Sequence, residues 1–155
     1  MAEAHFKLFS PAFEPNGPIP QHFTCDGKNI SPEVGWMHPP DGTRSLALVV
    51  DDPDAPKGTF THWVLFNIPA GTDKIPEADS SVGVPGRNSF QATGYGGPCP
   101  PPNHGDHRYY FRMFALDCES LDLEPGTTKN ELEKAMDGHV LGEAELMGRY
   151  KRQTG

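Results

Sequence analysis

Cysteine is scarce in this chain, and its count is odd. The 155 residues include only Cys25, Cys99 and Cys118, and no two of them have Cys-x-x-Cys spacing. Disulfide frameworks use even sets of cysteines, and structural zinc sites use closely spaced pairs. We therefore expect three free thiols and a reducing, cytoplasmic location.

Long apolar runs are missing as well. The segment Met1–Phe9 has no apolar core of the length that a signal peptide needs, and no later run approaches the roughly 20 residues of a transmembrane helix. We expect a soluble protein without integral membrane association.

Positive charge is in deficit. Thirteen Lys and Arg residues stand against 21 Asp and Glu residues, which gives a net charge of -8. The resulting field repels phosphate backbones and anionic lipid, so nucleic acid is not an expected partner. The length fits one domain, residues 1–155, which buries roughly 70% of the surface exposed by the unfolded chain.

The common catalytic signatures are absent. No Gly-x-Ser-x-Gly elbow, no His-Glu-x-x-His motif and no phosphate-cradling loop ending in Lys-Ser or Lys-Thr occurs. We expect a non-catalytic protein with no cofactor and no metal. The alternative is a small hydrolase, with Asp52, His62 and His107 as its cluster or with Cys99 as a nucleophile whose base is His107.

Glycine and proline are abundant, with 17 of each. Neither residue favours the interior of a helix or of a central strand, so the composition favours a loop-rich, mainly β protein.

Capping-box spacing at Thr128 predicts one helix over Thr128–Asp137, which ends at Gly138. Residues 11–40 read as ordered coil with short strands. Apolar runs and alternation predict strands over His5–Ser10, Arg44–Val50, His62–Ile68, His107–Asp117 and 143–151.

Three carboxylates follow the apolar run Leu46–Val50. They are Asp51, Asp52 and Asp54, and His62 opens the next predicted strand. An antiparallel pairing of the two strands places Asp52 and His62 near the same end of the sheet. Like charges crowded at a strand end indicate a functional site, although an acidic turn is the alternative interpretation.

A loop rich in glycine and proline, residues 94–102, precedes His107 and is built to hold a shape. Histidines at strand ends beside Asp52 have three interpretations: protonated phosphate binders, neutral metal ligands, or packed structural residues. The other histidines are expected to be ordinary surface or loop residues; they are His5, His22, His38, His104 and His139. The segment Arg149–Arg152 is expected to be a solvated chain end.

Several motifs in order resemble the phosphatidylethanolamine-binding protein family, also called Raf kinase inhibitor-like proteins. The motifs are Asp52-Pro-Asp-Ala-Pro56, His62, Gly94-Tyr-Gly-Gly-Pro-Cys-Pro-Pro101 and His107-Arg-Tyr109. Phe23-Thr-Cys-Asp-Gly27 with Ile30-Ser-Pro32, and the ending Gly142-Glu-Ala-Glu-Leu146, are similar to its compact prokaryotic, YbhB/YbcL-type branch. The resemblance covers nearly the whole chain.

The resemblance implies a β-sandwich of antiparallel sheets with a few peripheral helices and an anion-binding pocket at one end of the central sheet. The ligand would be a small phosphate monoester, a lipid head group or a phosphorylated side chain. A regulated kinase or protease is the implied protein partner, and the chain would be a monomer or a homodimer. Carried over by motif, the pocket residues are Asp52, Asp54, Pro56, His62, Gly97, Pro98, His107 and Tyr109, with Asp54 behind the others.

Two segments depart from the animal proteins of this family. The connection Lys57–Thr61 is shorter, which leaves Phe60 as the candidate for an aromatic pocket wall, and the loop Pro102–Asp106 is longer. An acidic residue in an anion site also needs an explanation. We hypothesise that Asp52 holds His107 or His62 as a charged imidazole that donates one N–H to the carboxylate and the other to the phosphate, so that binding weakens as pH rises.

Overall fold

The computed structural model describes residues 5–152 and consists of two antiparallel sheets. The larger sheet has five strands in the order β6-β4-β3-β7-β8, and the smaller has three in the order β1-β2-β5. The strands are β1 Lys7–Phe9, β2 Val34–Met37, β3 Ser45–Asp52, β4 Phe60–Pro69, β5 Lys74–Ile75, β6 Val84–Pro85, β7 His107–Leu116 and β8 Val140–Tyr150. One helix, α1, covers Lys129–Met136, and a single 3₁₀ turn covers Gln21–Phe23.

The larger sheet buries both of its faces, because its central strand β3 alternates between two cores. Leu46, Leu48 and Val50 point into an inner core that the smaller sheet covers. Ala47 and Val49 point into an outer core that α1 covers. All eight residues of β3 are buried, which is why this strand reads as a continuous apolar run. The predicted mainly β sandwich is confirmed.

Four of the five strands of the larger sheet match the sequence prediction closely, and the two-residue β6 was not predicted. The predicted Arg44–Val50 strand runs on to Asp52, and the predicted His62–Ile68 strand begins at Phe60. The closing strand begins at Val140, a little before its alternation becomes regular. Of the smaller sheet, only β1 was located in advance, because β2 and β5 are too short to carry a periodic signal.

The predicted helix and its cap are confirmed. Thr128 is the N-cap and accepts a hydrogen bond from the Glu131 N–H, while the Glu131 carboxylate accepts from the Thr128 N–H. Leu132 and Met136 are buried in the outer core. Gly138 follows with φ +84°, the left-handed conformation that ends a helix without steric cost.

A β-bulge in β4 re-aims one histidine. Val50 pairs with Trp63 and Asp51 pairs with Thr61, so His62 is an extra residue between two consecutive pairs. Strict alternation would place the His62 side chain on the outer face of the sheet, since Trp63 points into the inner core. Bulges break that alternation, and His62 instead points to the inner-core side, at the end of the sheet where β3 stops.

The prediction of three free thiols is wrong. Cys25 and Cys99 form a disulfide, with their Cα atoms 5.4 Å apart and a sequence separation of 74. Cys118 is the remaining free cysteine and is half-buried. An odd count leaves one thiol over without preventing the other two from pairing, and the sheet connections bring two distant loops together here.

The solvated chain end expected over Arg149–Arg152 is also corrected. Tyr150 is buried, and its hydroxyl donates to Asp26 Oδ2 at 2.5 Å. Arg152 Nε donates to the other oxygen of the same carboxylate at 3.0 Å. The end of β8 is therefore tied to the loop that carries Cys25. Among residues 5–152, no helix is long and apolar enough to cross a membrane.

Candidate functional site

A small cavity lies where β3 ends and β7 begins, on the inner-core side of the larger sheet. Its volume is about 180 Å³. Five segments contribute its walls: the end of β3 with the turn after it, the start of β4, the segment after β6, the glycine- and proline-rich loop, and the start of β7. The lining residues are Asp52, Ala55, Pro56, Phe60, His62, Phe90, Cys99, Pro100, Pro101, His107 and Tyr109.

Five of the eight residues predicted for the site line this cavity: Asp52, Pro56, His62, His107 and Tyr109. The other three lie behind the wall. Asp54 N–H donates to Asp52 Oδ1 at 2.8 Å. Gly97 N–H donates to Asn29 Oδ1, and the Pro98 carbonyl accepts from the Cys25 N–H. These three residues shape the site without facing its interior.

Gly97 illustrates why this loop needs glycine. A Cβ atom at this position would lie 2.3 Å from the Phe23 carbonyl oxygen, a distance that no side chain permits. Because Gly97 has no side chain, the backbone of this loop can pack directly against Phe23 and Thr24 at the end of the 3₁₀ turn. Because the Gly97 N–H is already bonded to Asn29, it is a structural contact and not a donor for a ligand.

The crowded carboxylates have separate partners. Asp51 points to the outer face, where its oxygens accept from Lys129 Nζ at 2.7 Å and Thr61 Oγ1 at 2.9 Å. Asp54 accepts two side-chain hydrogen bonds from Arg108, at 2.8 and 2.9 Å. These bonds lower the pKa of Asp54 to about 2. Only Asp52 keeps its carboxylate at the cavity, so mutual repulsion is not the organising feature of this cluster.

Asp52 and His107 form a buried pair. His107 Nδ1 lies 2.6 Å from Asp52 Oδ2, and the residues are 1% and 3% exposed, respectively. A carboxylate accepts only, so Nδ1 carries a proton and donates it. The Nε2 atom is then the ring nitrogen that Asp52 leaves available. The carboxylate stabilises the imidazolium that forms if Nε2 is also protonated.

His62 differs from His107 in both partner and charge. Its Nδ1 donates to the Gly96 carbonyl oxygen at 2.8 Å, and burial lowers its pKa. The ring therefore stays neutral at pH 7 with Nε2 as an acceptor. No carboxylate hydrogen bond holds it, so of the two candidates for the charged bridge, His107 has the geometry and His62 does not.

Tyr109 supplies an unused polar group. Its hydroxyl is the one buried side-chain polar atom within residues 5–152 that has no hydrogen-bond partner. Burial, followed by the negative charge of Asp52, raises the pKa of Tyr109, so the hydroxyl stays protonated. Buried polar groups are normally satisfied, and an exception in a cavity points to a ligand or water at that position.

His104 belongs to the site, although it was expected to be an ordinary loop histidine. Its Nδ1 lies 2.5 Å from His107 Nε2, with ring centroids 4.8 Å apart. The sequence signal was the lengthened loop directly before His107. Periodicity says nothing about loops, so spacing alone gave no reason to single out this side chain.

An aromatic rim borders the cavity. Phe60 lies where it was predicted to stand in for an aromatic wall, and Phe90, from the segment after β6, packs against it with a centroid distance of 4.7 Å. The two rings lie 5.0 and 5.4 Å from the His62 ring. Phe90 is 46% exposed. It was missed because its approach depends on how a long irregular segment folds back over β4.

The sequence model of the phosphatidylethanolamine-binding protein family matches residues 9–151. The chain belongs to this family. A relative named UPF0098 protein from Aquifex aeolicus is 48% identical over 154 residues, covering 96% of this chain and 90% of that protein. The predicted family is thereby confirmed.

Solved structures of the family share the fold. A phosphatidylethanolamine-binding protein homolog from Chlamydia trachomatis superposes with a TM-score of 0.90 at 39% identity, covering 96% of this chain and 98% of that one. YbcL of Escherichia coli, described as a new member of the mammalian family, superposes with a TM-score of 0.89 at 29% identity, covering 97% of this chain and all of that one. Both structures therefore share the fold of this chain over almost its whole length.

The disulfide changes the role of Cys99 in this family member. Cys99 lines the cavity, but its sulfur is bonded to Cys25. A disulfide sulfur is not a thiolate and cannot attack a substrate as the free nucleophile considered from the sequence. In this state Cys99 is a wall residue that fastens two loops.

Metal-binding geometry occurs elsewhere. Among residues 5–152, the donor atoms that lie within 4.8 Å of one another belong to Asp117, Cys118 and His139. This surface group lies just beyond the C-terminal end of β7, about 30 Å along the strand from the cavity. His139 Nδ1 already bonds Asp117 Oδ1 at 2.8 Å. The set Asp52, His62 and His107 does not converge in this way.

Proposed function

We propose that this protein binds a phosphate monoester in the cavity without turning it over. The observation that carries the proposal is the buried Asp52–His107 pair, beside which the Tyr109 hydroxyl has no partner within the described chain. A charged His107 and a neutral hydroxyl are two donors of the kind that a phosphate oxygen accepts.

Asp52 does not contradict an anionic ligand. A bare carboxylate about 4 Å from a phosphate oxygen would repel it by several kcal/mol at an effective dielectric constant near 20. His107 lies between the two anions in this proposal, with Nδ1 bonded to Asp52 and Nε2 directed to the ligand. Both negative groups then share one cation, and the carboxylate also orients the ring.

The cavity walls favour a phosphate that carries an organic group. Phe60 and Phe90 form an aromatic surface beside the polar end, and a volume of about 180 Å³ admits only a small ligand or the head of a larger one. Phenyl phosphate and phosphoethanolamine are therefore suitable probes, since one offers an aromatic group and the other a lipid head group.

Direct binding measurements test the proposal. Calorimetry with phenyl phosphate should show binding to the unchanged protein, about 10- to 100-fold weaker binding to His107→Ala, and about 3- to 10-fold weaker binding to Tyr109→Phe, as expected for charged and neutral hydrogen bonds. His139→Ala is the control, because this histidine also bonds a carboxylate but lies far from the cavity. Equal affinity of the unchanged protein and His107→Ala would contradict the proposal.

Absence of turnover is part of the same proposal. Support comes from the disulfide at Cys99 and from the lack of a recognisable activated nucleophile in the sequence. Phosphatase and esterase assays with generic chromogenic esters should give no activity that depends on His107. Hydrolysis by the unchanged protein that disappears in His107→Ala would instead favour the small hydrolase.

A protein partner and a cytoplasmic location complete the proposal. A regulated kinase or protease would present a phosphorylated side chain, so a phosphoserine peptide should compete with phenyl phosphate. Three free thiols no longer support the cytoplasmic location, because Cys25 and Cys99 are bonded to each other and disulfides persist mainly in oxidising compartments. Cell fractionation tests the location: recovery of the protein with cytoplasmic markers supports the proposal, and recovery in a secreted or envelope fraction contradicts it.

A further inference from the structure

The segment 102–106 places one imidazole at the cavity mouth. It links Pro101, in the cavity wall, to His107, the first residue of β7. Every residue of this segment is exposed, yet His104 N–H donates to the Pro101 carbonyl at 3.2 Å. The loop is thus folded back on its own beginning, which turns the side chain of His104 toward His107.

The contact uses the only free nitrogen of His107. Nδ1 is committed to Asp52, and Nε2 lies 2.5 Å from His104 Nδ1. A ring N–H points in one direction in the plane of the ring and serves one good acceptor at a time. In this structure, the position facing Nε2 is therefore taken by His104.

We infer that His104 is a displaceable latch, which occupies the anion position and must leave when a phosphate binds. This inference rests on the proposed function, because that function assigns the same Nε2 atom to the phosphate oxygen. His104 and the ligand then compete for one hydrogen bond. The protein side of the exchange is simple, since His104 lies on an exposed loop and its ring can turn into water without breaking a strand.

The latch also keeps the buried pair satisfied. Without an acceptor at Nε2, a charged His107 would be a buried cation with an unpaired donor, which is costly. His104 Nδ1 supplies that acceptor until a ligand does. The opposite role, a second donor that grips the phosphate, predicts the opposite sign when His104 is removed.

Removal of the imidazole separates these roles. Calorimetry with phenyl phosphate should show about 3- to 10-fold tighter binding to His104→Ala than to the unchanged protein, the net scale of one hydrogen bond that exchanges with water. His139→Ala, which removes a surface imidazole bonded to Asp117, should bind as the unchanged protein does. Weaker or equal binding by His104→Ala would overturn the latch.

A spectroscopic measurement reports the exchange itself. In histidine-¹⁵N-labelled protein, the His104 Nδ1 and His107 Nε2 signals should show a shared hydrogen bond without phosphate, and His104 should take the shifts of a free imidazole at saturating phenyl phosphate. A merely structural His104 would keep its signals. Persistence of the His104–His107 bond in the saturated protein would overturn the inference.

The outcomes keep the two proposals apart. Loss of binding in His107→Ala together with unchanged or weaker binding in His104→Ala contradicts the latch alone. Binding by His104→Ala when the unchanged protein shows none supports the latch strongly, because the latch then blocks the site. Binding by neither protein contradicts the proposed function, and the latch fails with it.

Discussion

At the scale of single residues, the partner of a carboxylate decides its role. Asp51 and Asp52 are neighbours in β3 and point to opposite faces of the sheet. Asp51 bonds Lys129 at the start of the helix, and Asp52 bonds His107 at the cavity. Adjacent residues of identical chemistry thus offer a matched pair of substitutions.

Asp52→Asn should weaken phenyl phosphate binding, even though it removes a negative charge from an anion site. The reason is that His107 loses the carboxylate that orients it and stabilises its charge, with an expected cost of about 1–3 kcal/mol. Isothermal calorimetry measures this directly. Asp51→Asn, as the control, should leave affinity unchanged. Tighter binding by Asp52→Asn would rule out the shared-cation arrangement.

The buried His62 should make stability depend on pH. Because burial lowers its pKa, the unfolded state binds more protons than the folded state once the pH drops below about 6.5, the ordinary histidine value. The free energy of unfolding should therefore fall as the pH is lowered through this value, and the slope that His62 contributes should vanish about one pH unit above it. Urea unfolding from pH 5 to 8 measures this slope.

His62→Gln should flatten that dependence, whatever its effect on overall stability. His38→Gln is the control, because His38 is exposed and should leave the slope unchanged. If His62→Gln and the unchanged protein lose stability in parallel below pH 6.5, another group is responsible. The difference between the two slopes isolates His62 from His107, which is present in both proteins.

Residues at strand ends and within the recognised motifs could be predicted, whereas loop residues outside those motifs could not. Asp52, His62, His107 and Tyr109 lie at strand ends, where alternation and motif order limit their positions. His104 reaches the cavity through loop geometry that no periodic pattern encodes, and Phe90 does so as well. Cys99 was placed near the site from its motif, but its partner Cys25 could not be found by spacing.

At the scale of elements, the capping box of α1 is the clearest match between local sequence and structure. Thr128 and Glu131 satisfy each other's backbone N–H groups. The cap also fixes where Lys129 begins the helix, which is where it bonds Asp51. Local sequence is sufficient to predict such a unit because all its contacts lie within four residues.

Thr128→Ala should destabilise the protein by about 1 kcal/mol, since one backbone donor loses its side-chain acceptor. Urea unfolding gives the value. Asn130→Ala is the control: Asn130 is exposed on the same helix, and alanine has the higher helix propensity, so stability should stay equal or rise slightly. Equal stability of Thr128→Ala and the unchanged protein would show that the cap contributes nothing.

The β4 bulge marks the limit of prediction at this scale. The run from His62 to Ile68 correctly indicated a strand, but strict alternation from Trp63 would place His62 on the helix-covered face. One extra residue between the pairs of Asp51 and Val50 reverses that assignment. A bulge depends on how two strands pair, so the sequence of one strand alone does not predict it.

At the scale of the whole molecule, the disulfide joins two loops that meet at the cavity wall. The contact has noncovalent support, because Tyr95 donates to the Phe23 carbonyl at 2.6 Å and Gly97 donates to Asn29 at 2.8 Å. Reduction of the Cys25–Cys99 bond should therefore loosen the contact between the two loops without separating them. The constraint on the unfolded chain is large, because the sequence separation of the two cysteines is 74.

Unreduced protein in denaturant should contain one reactive thiol, Cys118, and three after reduction. Replacing Cys25 and Cys99 together by serine should lower the free energy of unfolding by about 2–4 kcal/mol, chiefly by releasing the unfolded chain. Thiol titration and urea unfolding measure the two quantities. Cys118→Ser is the control for cysteine loss without loss of the bond. Three reactive thiols in freshly prepared, unreduced protein would show that the bond does not form.

The same bond turns part of the chain into a closed covalent ring. Residues 25–99 form the ring, which contains β2 to β6, whereas β7, α1 and β8 follow it as an open tail. A protease cut within 26–98 would leave the pieces joined on a non-reducing gel, but a cut within 100–106 would release the tail once the protein unfolds. His107 belongs to the tail and Asp52 belongs to the ring. The cavity therefore lies where the tail and the ring meet, next to the disulfide.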